Sequence, residues 1–69
     1  MKMRYDQDDD VLMIWFNTDK QVYTAEQTGS SILHLTENGE PVLLEILSAR
    51  EFVVDLVRTA LSPSETAAD

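Results

Sequence analysis

Cysteine is absent from this 69-residue chain, and glycine and proline occur only twice each. The missing thiols exclude a disulfide framework and thiolate metal sites, so a chain this short draws its stability from packing, association or non-thiolate metal binding. Two glycines leave no phosphate-binding loop, and Ser30, Ser31 and Ser48 have no nucleophile-elbow context. Positive charge is scarce too: five Lys and Arg stand against 13 Asp and Glu, a formal charge of -8. Lys2, Arg4, Lys20, Arg50 and Arg58 are scattered, which argues against nucleic acid or an anionic membrane and makes a basic protein the easier partner. The longest apolar run, Val11 to Phe16, is far short of the roughly 20 residues of a spanning helix. Met1 to Tyr5 lacks the apolar stretch of a secretory signal. The expectation is a soluble cytoplasmic protein.

What is present reads as a small sheet followed by a helix. Met3 and Tyr5 mark a short first strand, the Asp-rich segment after them is turn chemistry, and Val11 to Phe16 is the second strand. Residues 17–29 are polar, with Gln21 to Thr24 as a candidate edge strand. Ser31 to Thr36 and Val42 to Leu47 are two further strands, joined by a hairpin for which Asn38-Gly39 supplies the turn. From Ser48 the apolar period changes to 3.6: Phe52, Val53, Leu56, Val57, Ala60 and Leu61 form one stripe, and Ser48 with Glu51 matches the S-x-x-E capping box. Ser62-Pro63 ends the helix. The predicted fold is α+β: a small antiparallel three- or four-stranded β-meander with one C-terminal α-helix packed on one face, residues 1–61 forming one domain and 62–69 a disordered acidic tail.

One helix covers one face of such a sheet. With Leu12, Ile14, Phe16, Leu33, Leu35, Val42, Leu44 and Ile46 facing the helix, the alternate positions are Val11, Met13, Trp15, Ile32, His34, Leu43, Glu45 and Leu47, six of them apolar. A contiguous apolar face of this kind marks an association surface. The interface set is therefore Val11, Met13, Trp15, Ile32, His34, Leu43 and Leu47, serving a homodimer or docking to another protein. The alternative is that residues 17–29 fold back over it.

Two constellations bear on chemistry. Asp6, Asp8 and Asp10 match the first alternating carboxylates of a calcium loop, but Val11 and Asn17 stand where an EF-hand needs Gly and Glu, so a solvated turn is the expected reading and a metal-binding or small enzymatic module the alternative. His34 and Glu45 can pair across neighbouring strands, although no nucleophile or electrophile accompanies them. No catalytic residue, metal ligand or cofactor site is assigned.

Met1, Lys2, Tyr5, Asp6, Asp10, Leu12 and Ile14, followed by Gly39, Glu45, Ile46 and Leu47, give two ordered motifs that resemble the domain-of-unknown-function family 2283 over residues 1 to about 52. The resemblance implies a small, mostly bacterial protein with a short sheet and a following helical segment. By analogy it also implies an antitoxin-like partner for a small basic protein. This chain departs from the family pattern at Met13, Trp15 and Leu43, where its second face is more apolar, and its helix is longer.

Overall fold

The computed structural model describes residues 1–62. It contains β1 (Lys2–Asp6), β2 (Val11–Trp15), β3 (Thr24–Thr28), β4 (Ser31–Leu35), β5 (Pro41–Leu47) and α1 (Ala49–Ala60). The strands form one antiparallel sheet in the order β1-β2-β5-β4-β3. The α+β class and the C-terminal helix are as expected, but the sheet has five strands rather than three or four. It is also not a simple meander: the hairpin β1-β2 lies beside the three-stranded unit β3-β4-β5, with β2 against β5. The expected tail from Ser62 lies, from Pro63 on, outside the described residues.

The additional strand is β3, Thr-Ala-Glu-Gln-Thr, exposed along its whole length. It has no apolar alternation to announce it, and it begins where the expected Gln21–Thr24 edge strand ends. A two-residue turn joins it to β4, with Thr28 opposite Ser31 and Gly29 at φ 58°, the positive φ that the first position of a type II′ hairpin turn requires. The connector before it crosses one end of the sheet. There the Tyr23 N–H donates to the Leu35 carbonyl at 2.8 Å, and Lys20 pairs with Glu40. Residues 18–30 are all exposed, so this segment widens the sheet rather than covering a face.

The β4–β5 hairpin differs from a tight Asn-Gly turn. The Gly39 N–H closes on the Thr36 carbonyl at 3.0 Å, the Thr36 N–H on the Glu40 carbonyl at 2.9 Å, and Gly39 alone takes positive φ, at 84°. This is a longer loop built round one left-handed residue, and the pairing slips between His34 and Leu35. Gly39→Ala leaves room for the added methyl, since nothing lies within 4 Å, but strains the backbone. It is expected to lower stability by about 1 kcal/mol in a urea melt.

Register places both faces. Val11 lies opposite Leu47, Met13 opposite Glu45 and Trp15 opposite Leu43, while Ile32 and His34 lie opposite Glu45 and Leu43 from the other side. Directly paired residues share a face, so the seven positions expected to form an interface do share one. The opposite face carries Leu12, Ile14, Leu33, Leu44 and Ile46. The core is very small: among the described residues only Val42 and Ile46, both 4% exposed, and Ala49, at 2%, are buried apolar side chains.

The helix does not lie flat on the sheet as expected. It is anchored by its first turn, where Ala49 is buried, while Arg50 to Leu61 are all exposed. It leaves the end of β5 after Ser48, which takes a left-handed conformation with φ 52° and ψ 49°. That conformation also removes the expected capping box, because the Ser48 side chain makes no cap hydrogen bond.

Candidate functional site

The carboxylate-rich turn between β1 and β2 resolves into two separate structural roles. Asp6 Oδ1 accepts the N–H groups of Asp8 and Asp9 at 3.0 and 3.1 Å, an Asx-type lock on the turn. Asp10 turns left-handed at φ 56° and caps α1 from some 40 residues away. Its carbonyl accepts the Ala49 N–H at 3.0 Å and its Oδ1 accepts the Arg50 N–H at 3.1 Å. It does the work sequence spacing gives to Ser48. Tyr5 O–H donates to the same Oδ1 at 2.6 Å, and the Arg50 guanidinium sits 5.9 Å from the Tyr5 ring centroid. Among the described residues no three His, Cys, Asp or Glu side chains are placed to hold a metal ion together.

Hydrogen bonding from Tyr5, then from the Arg50 backbone, with the Arg50 charge nearby, holds the Asp10 carboxyl below its ordinary value of 3.8 against a smaller opposing effect of desolvation. Donating that bond, with desolvation as the next cause, in turn raises the Tyr5 phenol above its ordinary value. A folded-state pKa depressed below the unfolded one stabilises the fold above the unfolded value and is lost as pH falls through the folded value. Asp10→Asn should therefore flatten the loss of stability below about pH 4, read by urea melts across the acid range. Asp10→Ala should be worse than Asp10→Asn at neutral pH, since Asn keeps an acceptor and tolerates the left-handed backbone.

His34 Nε2 and Glu45 Oε1 meet at 2.5 Å, as the cross-strand spacing predicts, with side chains 20% and 27% exposed. They stand on the face with Met13, Ile32 and Leu43, which surround them in register with apolar side chains.

The wider surface is the more informative feature. Val11, Met13, Trp15, Ile32, Leu43 and Leu47 are all half-buried by their neighbours in the sheet, and no second layer lies on them among the described residues. Lys2 and Arg4 border this face on β1, opposite Trp15 and Met13, with the Lys2 Nζ 5.5 Å from the Trp15 ring centroid. On the other side, Tyr5, Leu12, Ala49, Arg50, Val53 and Val54 line an open groove of about 470 Å³ between sheet and helix.

Sequence reasoning assigned the helix stripe to packing within the chain. The structure leaves it in solvent: Phe52, Val53, Leu56, Val57 and Leu61 of that stripe, and Val54 beside it, are between 42% and 76% exposed. Covering six half-exposed side chains of this size would contribute roughly 5–9 kcal/mol. That is comparable to the whole stability of a small domain. A cleft lined by Leu47, Phe52, Glu51 and Asp55 joins the helix to the seven-residue face.

A family model described as "Protein of unknown function (DUF2283)" matches residues 2–50. It spans every strand and stops in the first turn of α1, so the exposed part of the helix lies beyond it. No curated protein and no solved structure matches the chain.

Proposed function

We propose, for a chain that belongs to the DUF2283 family of proteins of unknown function, that it acts as a non-enzymatic protein-interaction module whose native state is a homodimer formed through the Val11, Met13, Trp15, Ile32, His34, Leu43 and Leu47 face. The observation that carries this is the size of the core. Among the described residues, three buried apolar side chains are too few to stabilise five strands and a helix, and the apolar material that could complete the core is held on uncovered surfaces. A dimer supplies the missing layer.

The net charge of -8 favours a small basic protein as a further, heterologous partner, an antitoxin-like arrangement. A cytoplasmic site of action belongs to the same proposal, resting on the acidic, cysteine-free composition. No helix among the described residues is long and apolar enough to cross a membrane.

Sedimentation equilibrium of the purified chain with nothing added tests the dimer. A mass of two chains at micromolar concentration is expected. A single-chain mass persisting to millimolar concentration contradicts it.

A further inference from the structure

A second copy on the open face must present apolar side chains to it, and among the described residues α1 is the helix that holds its apolar side chains in solvent. We propose, on the footing of the self-association argued above, that α1 of each chain lies across the Met13–Trp15–Leu43 face of its partner, the two helices being exchanged about a two-fold axis.

Three observations carry this. The first is continuity: Leu47, the last residue of that face on β5, and Phe52, in the first turns of α1, line one cleft, so sheet face and helix stripe form a single surface. An isologous contact needs such a surface, with both complementary parts on every copy. The second is area. At the exposures of Phe52, Val53, Val54, Leu56, Val57 and Leu61, these side chains present roughly 200–400 Å² of apolar surface, taking about 60–120 Å² for a fully exposed Val, Leu or Phe side chain. With the sheet face it receives, each copy approaches the roughly 800 Å² per partner of a stable interface.

Charge complementarity is the third. Lys2 and Arg4, two of the five cations of the chain, flank the sheet face, and the Arg4 side chain makes no hydrogen bond or ion pair among the described residues. Glu51 and Asp55 flank Phe52 on the helix. Exchange brings the carboxylates of one copy to the cations of the other, twice, in a molecule whose net charge otherwise opposes self-association. A 12-residue helix is also marginal alone in water, so α1 gains its own stability from being covered.

The absence of native cysteine makes the test direct. Met13→Cys and Leu56→Cys chains are mixed, allowed to exchange subunits and treated with a short bis-maleimide. Mixed Met13–Leu56 pairs, read by mass spectrometry, are expected. A two-chain mass in sedimentation with Met13–Met13 pairs alone overturns the exchange and leaves the sheet-face dimer standing, whereas a single-chain mass removes the dimer itself. A surface charge swap gives a second test that spares the core. Arg4→Glu should weaken association roughly fivefold, the effect of a rim ion pair, and adding Asp55→Arg should restore it. Failure of the double variant to recover contradicts the proposed register.

Discussion

Met13→Glu is expected to turn the dimer into a monomer. Met13 sits near the middle of the proposed interface, with Arg4 on one side and Glu45 on the other. A carboxylate there is driven into an apolar contact and stands directly opposite Glu45, so desolvation and like-charge repulsion act together. Two-fold symmetry applies the change twice per dimer. Losing about 2 kcal/mol at each central position, as at an interface hot spot, raises the dissociation constant by roughly a thousandfold. Sedimentation velocity at matched concentrations measures it, and Thr28→Glu, at the exposed end of edge strand β3, should leave the mass unchanged. A dimer that survives Met13→Glu with its affinity intact rules out this face.

Ile46→Ala should unfold the chain or come close to it. Ile46 is 4% exposed, lies on central strand β5 opposite Leu12 and Ser31, and is one of three buried apolar residues among those described. Truncating a buried Ile to Ala removes transfer free energy and leaves a cavity, costing about 2–5 kcal/mol. A core of three has no reserve to absorb that. Urea denaturation followed by Trp15 fluorescence reads the effect. Leu61→Ala, at 76% exposure, should cost far less. Similar costs for the two would mean that the core is not where the structure puts it.

The sequence spells out the two faces of the sheet more clearly than what covers them. Val11 to Trp15, Ser31 to Leu35 and Val42 to Leu47 carry enough β-branched and large apolar residues to be recognised as strands, and the two-residue period then assigns each side chain to a face. The register confirms that assignment. β3 was expected too early, at Gln21 to Thr24 rather than Thr24–Thr28, because an exposed edge strand needs no apolar alternation. The helix cap was misread because capping spacing is local whereas the true cap, Asp10, comes from a distant turn. The αL conformation of Ser48 is the physical reason its own side chain does not serve.

The same limit explains the misplaced helix. An amphipathic stripe states that α1 must be covered but not by which molecule, and the simplest expectation, its own sheet, is not what the chain adopts. Family membership was legible from Tyr5, Asp6, Asp10 and the Gly39 to Leu47 segment. The structure supplies a reason for several of these identities: Asp6 locks a turn, Asp10 with Tyr5 caps a helix, and Gly39 holds a positive φ.

The central claim is that folding and association are one process. Thermal unfolding followed by circular dichroism over a wide range of chain concentration tests it most directly, because the midpoint of an obligate dimer moves with concentration and that of a monomer does not. Each hundredfold rise adds about 2.7 kcal/mol to the folded dimer, so the midpoint is expected to climb by roughly 5–10 °C. A midpoint that stays fixed across that range, with a cooperative transition, would show that the three-residue core suffices alone and would contradict the account.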